Sequence, residues 1–155
     1  MIKILFVCHG NICRSVAAEY IFNDMVREMG LENKYVSDSA AATTEEIGNP
    51  IYPPMRKTLE THDVKIGNHR ARLIMDSDLE KFDYILVMDR ENHEDLEYMF
   101  RRNENLSKVK YLKSFSKGTN NNNQISDPWY TRDFELAYRD IRDSVAGLLE
   151  WLERG

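Results

Sequence analysis

Two kinds of segment alternate along this chain: short apolar runs, and longer segments in which apolar residues recur every three or four positions. The short runs predict four strands, at 2–7, 35–40, 82–88 and 108–112. The periodic segments predict four helices, at 14–29, 53–62, 90–102 and 132–154. This alternation predicts a three-layer α/β domain in which helices cover both faces of a parallel sheet.

Residue types at the ends of these segments support the predicted helices. Gly30 follows the first periodic segment, prolines stand near the start of the second, and Asp89 can cap the third. The polar stretch 117–130, which contains four consecutive asparagines, predicts a surface loop instead.

The size and charge of the chain narrow the possible functions. Its 155 residues, 42% of them hydrophobic, suit one domain with its own core, over residues 1–155. The formal net charge of −5 argues against binding to nucleic acid or to an anionic membrane surface. No apolar run approaches the ~18 residues of a membrane span. The apolar run at the N-terminus is also too short for a secretion signal, so we expect a cytoplasmic protein.

The cysteines and histidines make a metal site improbable. Cys8 and Cys13 are five positions apart, which fits neither a CxxC redox pair nor a zinc ligand set. The four histidines are scattered. We therefore expect neither a metal nor another cofactor.

The segment from Cys8 to Arg14 joins the first predicted strand to the first predicted helix. Ligands of parallel α/β sheets bind at the carboxyl ends of strands, where Cys8 lies. Gly10 and Asn11 tolerate a positive φ, so the turn can direct successive N–H groups inward, and the helix start adds more. Arg14 could then hold a tetrahedral dianion with two parallel hydrogen bonds.

The same positive environment would favour the thiolate form of Cys8, and Ser15 offers it a hydroxyl. A phosphate bound over Cys8 could then be attacked by the sulfur. A cysteine followed by an arginine six positions on is a weak signal by itself. The alternative interpretation is a buried cysteine at a strand end, followed by a surface arginine.

Departure of an alkoxide or a phenoxide requires a proton donor from another segment. Asp127, held by Pro128 in the polar stretch, is the best candidate. Trp129 and Tyr130 beside it could form walls for a flat substrate ring. The alternative is a surface turn whose aromatic residues dock the last helix.

Six segments, in order along the chain, resemble the low-molecular-weight protein tyrosine phosphatase family. Two carry the candidate chemistry, VCHGNICRS at 7–15 and DPWY at 127–130. The others are DSA at 38–40, EIGNP at 46–50, HRAR at 69–72 and FDYILVMD at 82–89. The resemblance covers nearly the whole chain and implies a single domain with a four-stranded parallel sheet in flavodoxin-like order.

The resemblance implies hydrolysis of phosphotyrosine in proteins, or of small aryl phosphates, in two steps and without a metal. Cys8 would attack phosphorus to form a cysteinyl-phosphate, while Arg14 would bind the phosphoryl oxygens. Asp127 would protonate the leaving oxygen and then activate water. The resemblance further implies inhibition by phosphate-like oxyanions and a monomer or weak dimer.

Supporting roles also come from the resemblance. Besides Cys8 and Arg14, the phosphate-binding loop would comprise His9, Gly10, Asn11, Ile12, Cys13 and Ser15. Asn11, Ser15, Ser39 and His69 match the residues that brace this loop. Cys13 matches the partner that forms a reversible disulfide with Cys8 under oxidation.

Several positions depart from the family pattern. Val16 replaces a proline at the helix start, with little expected consequence. His9 stands where the family often has leucine or another uncharged residue. It could add positive charge at the mouth of the site or be merely solvated, and we expect the latter. Glu45 stands where members often carry an aromatic wall residue. We expect it to line the substrate wall with Trp129 and Tyr130 and to disfavour acidic peptides. The asparagine-rich insert is expected to make the acid loop mobile.

Other functions use a similar loop. Arsenate reductases need a further cysteine pair, which this chain lacks. Protein-arginine phosphatases generally carry threonine at the position of Ile12. Phosphocysteine carrier domains of sugar transport lack an acid loop, and a non-catalytic phosphopeptide sensor could lose Cys8 or Asp127. The residues favour a phosphotyrosine phosphatase and leave its physiological substrate open.

Overall fold

A parallel sheet of four strands forms the centre of the protein. The computed structural model describes residues 1–117 and 122–155. The strands are β1 (Ile2–Cys8), β2 (Tyr35–Ala41), β3 (Tyr84–Val87) and β4 (Val109–Tyr111). Their order in the sheet is β2-β1-β3-β4, and each neighbouring pair is parallel. The predicted single α/β domain with a flavodoxin-like sheet is therefore confirmed.

Helices connect the strands and cover the sheet. Within the described residues they are α1 (Arg14–Glu28), α2 (Pro53–Thr61), α3 (Asp76–Lys81), α4 (Arg90–Met99), α5 (Pro128–Thr131) and α6 (Phe134–Arg154). Two 3₁₀ turns flank β4, at Glu104–Lys108 and Leu112–Phe115. None of these helices is both long enough and apolar enough to cross a membrane.

Two apolar cores lie on opposite faces of the sheet, and β1 contributes to both. Ile4 and Phe6 pack with residues of α1, α2 and α6, whereas Leu5 and Val7 pack with residues of α3 and α4. Because successive side chains of a strand point to opposite faces, a strand covered on both sides must be apolar throughout. The position of β1 at the centre of the sheet therefore explains its nearly continuous apolar run.

The predicted strands and long helices are all present, and β3, β4 and α4 are shorter than predicted. The structure adds α3 and α5, which the sequence pattern did not predict. Both are too short for apolar periodicity: α3 has six residues and α5 has four. Asp89 caps α4 as expected, since its side chain accepts a hydrogen bond from the Asn92 amide.

The prediction of a surface loop over 117–130 is wrong at two places. Ile125 is 1% exposed and its amide donates to the Met88 carbonyl, so this residue anchors the segment in the core. Residues 128–131 form α5. Residues 118–121 lie outside the described residues, and so does the core of the asparagine-rich insert whose mobility was expected.

Candidate active site

A cleft of about 460 Å³ opens at the carboxyl end of β1. Its floor is the segment between β1 and α1, which we call the Cys8 loop (residues 8–15). The cleft is lined by Cys8, His9, Gly10, Ile12, Cys13, Arg14, Glu45, Glu46, Tyr52, Asp127, Trp129 and Tyr130. The structure thus gathers the three predicted catalytic residues and the three predicted wall residues around one cavity.

The tight turn of the Cys8 loop depends on Asn11 more than on Gly10. Asn11 has a φ of 61°, in the left-handed region, whereas Gly10 is not among the residues with a positive φ. Asparagine tolerates this conformation better than most residues. Gly10 has a different role, since a Cβ there would lie 3.3 Å from Glu46 Cγ. Glycine therefore permits the segment around Glu46 to approach the loop.

Hydrogen-bond donors surround the sulfur of Cys8, which is 3% exposed. The amides of Asn11 and Ser15 donate to Cys8 Sγ at 3.3 and 3.4 Å. Ser15 Oγ lies 3.0 Å from the same sulfur. These contacts fix the sulfur at the floor of the cleft.

The orientation of Asn11 determines what the Ser15 hydroxyl can do. Asn11 Oδ1 accepts from the Arg72 amide at 3.1 Å, which assigns the amide group, because a backbone N–H can only donate. Asn11 Nδ2 then donates to Ser15 Oγ at 2.8 Å. Ser15 Oγ thus lies between Asn11 Nδ2 and the sulfur of Cys8, and its own proton can be donated to a Cys8 thiolate.

His69 supports Asn11 from behind the loop. His69 Nε2 lies 2.8 Å from Asn11 Oδ1, so Nε2 must carry a proton. His69 Nδ1 lies 3.4 Å from Glu19 Oε1 and 3.4 Å from Asp38 Oδ1. Burial lowers the pKa of His69, while Asp38 acts to raise it. Burial also raises the pKa of Glu19 to about 7.

Ser39 reaches the loop only indirectly. Its hydroxyl donates to Glu19 Oε1 at 2.7 Å, and Glu19 in turn lies against His69. The residue is fully buried, so this hydrogen bond fixes the Glu19 carboxyl within the protein. Of the predicted bracing residues, Asn11, Ser15 and His69 make contacts within or with the Cys8 loop.

Arg14 is held rigidly at the edge of the cleft, with 2% of its surface exposed. One terminal nitrogen donates to Asp89 Oδ2 at 2.8 Å and to the Ile125 carbonyl at 2.9 Å. The other donates to Asp127 Oδ2 at 3.3 Å. Burial alone would lower the pKa of Arg14, but Cys8, Asp127 and Asp89 raise it, so the guanidinium stays charged.

Asp127 lies opposite the Cys8 loop, at the N-cap position of α5. Its Oδ1 accepts from the Trp129 amide at 3.0 Å and so caps the helix, while Oδ2 faces Arg14. Trp129 and Tyr130 follow on the rim with 56% and 81% of their surface exposed. Tyr52 faces Trp129 with ring centroids 5.6 Å apart, and its amide donates to the Ile12 carbonyl at 2.7 Å.

His9 is tied to carboxylates, so the expectation that it is merely solvated is wrong. His9 Nε2 lies 2.9 Å from Glu45 Oε2, and Nδ1 lies 3.2 Å from Glu91 Oε1. Burial lowers the pKa of His9, but Glu45, Glu91 and Asp95 raise it by a larger amount. Glu45, predicted as a wall residue, stands on the rim with its carboxylate directed at His9.

The two cysteines of the loop differ in their surroundings, and both are free. Burial raises the pKa of the Cys13 thiol, and the neighbouring Cys8 raises it further. Cys13 occupies the N-cap position of α1, where its side chain makes no capping hydrogen bond. Cys8 is therefore the better nucleophile of the pair.

Several residues of the site were not predicted from the sequence. Tyr52 adds an aromatic wall, Asp89 holds Arg14, and Glu19 supports His69. Asp89 could have been found, because it follows β3, which neighbours β1, and side chains at adjacent strand ends converge. For Tyr52 and Glu19 no comparable signal exists, since only the folded chain brings them to the cleft.

Two groups of described residues could hold a metal ion, each with its ligand atoms within 4.8 Å of one another. One comprises His9, Glu91 and Asp95; the other comprises Glu19, Asp38 and His69. In the second group, Arg72 already supplies a cation, at 3.1 Å from Asp38 Oδ2.

Known proteins resemble this chain throughout its length. The low molecular weight protein-tyrosine-phosphatase YfkJ of Bacillus subtilis is 36% identical over 99% of this chain and 97% of its own length. The crystal structure of YfkJ has a TM-score of 0.94 and covers 99% of this chain and 96% of that chain. The low molecular weight phosphotyrosine protein phosphatase of Gallus gallus is 38% identical over 96% of this chain and 94% of its own.

A crystal structure described as a Drosophila arginine phosphatase is 31% identical, with a TM-score of 0.88, over 97% of this chain and 98% of that chain. Residues 3–155 match the family described as low molecular weight phosphotyrosine protein phosphatase. The resemblance inferred from the motifs is thus confirmed, and the chain belongs to the low molecular weight phosphotyrosine protein phosphatase family of hydrolases.

Proposed function

We propose that this protein hydrolyses phosphotyrosine, and small aryl phosphates, through a cysteinyl-phosphate intermediate. One observation carries the proposal: two backbone amides donate to Cys8 Sγ, and Ser15 Oγ lies 3.0 Å from it, at the floor of a cleft that Arg14 and Asp127 also line. A nucleophile, a fixed cation and a carboxyl group therefore meet where a phosphate monoester would fit.

In the first step, the Cys8 thiolate attacks phosphorus, so a sulfur–phosphorus bond forms as the bond to the tyrosine oxygen breaks. Arg14 holds the equatorial phosphoryl oxygens with its guanidinium, which its contacts to Asp89 and Ile125 keep in place. Asp127, in its protonated form, gives a proton to the departing phenolate, which leaves as tyrosine.

In the second step, water attacks the cysteinyl-phosphate. Asp127, now ionised, takes a proton from that water, the sulfur–phosphorus bond breaks, and inorganic phosphate leaves. The Cys8 thiolate returns to the donors that stabilised it before the reaction. Arg14 and the loop amides supply the positive charge for both steps, so other phosphate-like oxyanions should compete for the same site.

The walls of the cleft support an aromatic substrate. Tyr52 and Trp129 face each other across 5.6 Å between ring centroids, and they border the floor on the side of Asp127. A phenyl ring attached to the bound phosphate could pack against them. Ile12 also lines the cleft. The absence of the threonine that protein-arginine phosphatases generally carry at this position supports phosphotyrosine over phosphoarginine.

The mechanism requires a reduced Cys8. Cys13 is the neighbouring thiol that could close a reversible disulfide with it under oxidation. A protein that depends on a free thiolate functions best in a reducing compartment such as the cytoplasm.

Parallel hydrolysis assays test the proposed substrate class. Peptides of one sequence, carrying phosphotyrosine, phosphoserine or phosphoarginine, are compared with the wild-type protein and with Cys8→Ser. We expect hydrolysis of the phosphotyrosine peptide alone, loss of turnover in Cys8→Ser, and retained binding of inorganic phosphate by that variant. Preference for phosphoarginine would move the protein to the activity named for the Drosophila relative, and turnover by Cys8→Ser would exclude the mechanism.

A further inference from the structure

We propose that His9, Glu91 and Asp95 form a binding site for Zn²⁺, or for a divalent transition metal with the same ligand preference, at the mouth of the cleft. Glu91 and Asp95 are four positions apart on α4, so both side chains project from the same face of that helix toward the Cys8 loop. His9 meets them from the loop, and the three ligand atoms lie within 4.8 Å of one another.

The distances suit zinc coordination. Zinc binds nitrogen and carboxylate oxygen at about 2.1 Å in a tetrahedron, which places neighbouring ligand atoms about 3.4 Å apart. His9 Nδ1 and Glu91 Oε1 are 3.2 Å apart, close to that separation. His9 Nδ1 is a buried nitrogen that makes no hydrogen bond, so no protein donor already occupies its lone pair.

Glu45 prepares His9 for this role. His9 Nε2 lies 2.9 Å from Glu45 Oε2, so the proton of a neutral imidazole is held at Nε2 and the lone pair is left on Nδ1. A carboxylate that accepts from the second nitrogen is the usual partner of a metal-bound histidine, because it fixes the tautomer and the ring orientation.

The charge of the cluster also favours a cation. Among the described residues, neither Glu91 nor Asp95 has a lysine or arginine partner. The second group of potential ligands differs in this respect, because Arg72 already occupies the place of a cation beside Asp38.

Isothermal titration of the protein with Zn²⁺ tests the site. Cys8→Ser serves as the starting protein, so that the sulfur of Cys8 cannot bind the metal. We expect one zinc ion per chain, and at least a tenfold weaker affinity in Asp95→Asn and, separately, in Glu91→Gln. Mg²⁺ should not compete, because it binds histidine poorly and keeps its water ligands.

Two control variants separate this site from general attraction to an acidic helix. Glu94→Gln removes a neighbouring exposed carboxylate, and Glu97→Gln removes the partner of His93 on the same helix. Both should leave the affinity within about twofold. The proposal is overturned if no one-to-one binding occurs, if the controls weaken binding as much as Asp95→Asn, or if neither ligand variant weakens it.

Discussion

The floor of the cleft and its rim are built in opposite ways. The floor is one continuous segment, the Cys8 loop, in which Asn11, Arg14 and Ser15 are at most 2% exposed. The rim comes from separate segments that carry Glu45, Tyr52 and Trp129, and much of it faces solvent. In the proposed mechanism, the groups that hold the transition state are thus fixed by buried hydrogen bonds, whereas the groups that would meet a substrate are free to adjust.

This difference between floor and rim predicts which kinetic constant a substitution in each region should change. A change in the floor removes a group for which the folded protein offers no replacement, because Asn11, Arg14 and Ser15 are held by specific buried hydrogen bonds. A change in the rim removes contact area that solvent or a neighbouring side chain can partly replace. The floor should therefore govern kcat, and the rim should govern KM.

The largest effect is expected at Arg14. Arg14→Lys keeps the charge but loses the planar fork, and it leaves the contacts to Asp89, Asp127 and the Ile125 carbonyl incomplete. We expect kcat/KM for a phosphotyrosine peptide to fall by about 10²–10³-fold. Arg132→Lys is the matched control, because this exposed arginine lies outside the cleft lining and donates to the hydroxyl of the rim residue Tyr52. Equal losses in the two variants would contradict the comparison of floor and rim.

Asp127 stands between floor and rim, and its substitution should depend on the leaving group. Asp127→Asn should reduce kcat by about 10²-fold for phosphotyrosine, because the phenolate then leaves without a proton. Hydrolysis of 4-nitrophenyl phosphate, whose leaving group is more acidic, should fall much less. Steady-state kinetics with both esters measures this, and Asp143→Asn on the exposed side of α6 serves as control. Equal losses on both esters would exclude Asp127 as the acid.

Glu19, buried behind the floor, should make stability depend on pH. Its pKa of about 7 in the folded protein lies above the ordinary value of 4.5, so folding favours the protonated carboxyl. This favourable contribution is complete below about pH 4.5 and is lost as the pH rises through 7.

Glu19→Gln should therefore gain stability relative to the wild type between pH 5 and pH 8, on the order of 2 kcal/mol. Urea denaturation at the two pH values measures the difference. Glu32→Gln, at an exposed position, should show no such gain. A constant difference between wild type and Glu19→Gln at both pH values would count against a buried, protonated Glu19.

The smallest effect is expected on the rim. Trp129→Ala removes one aromatic wall and should raise KM for a phosphotyrosine peptide about three- to tenfold. Inorganic phosphate should contact only the floor, so its affinity should stay unchanged in an inhibition assay. Weaker phosphate binding in this variant would show that the rim helps to shape the floor.

Much of the fold and of the floor could be predicted from the sequence because both depend on short-range patterns. The apolar run of β1, the periodicity of α1 and the turn residues between them place Cys8, Asn11 and Arg14 within seven positions. The backbone of the strand, turn and helix then brings their polar groups together, while distant residues such as His69 and Asp89 orient the side chains. Short elements such as α5 escaped because four residues carry no periodicity.

Which distant groups reach the cleft depends on long-range packing and is visible only in the folded protein. Asp127 lies 113 positions from Arg14, yet their side chains are 3.3 Å apart. His9, expected in solvent, meets Glu45 and Glu91 because the strand ends and α4 converge beside the loop. Apolar periodicity records which face of an element is buried, but it does not record which polar side chains of other segments will meet there. Those contacts, and the pKa values that burial imposes on them, arise from long-range packing.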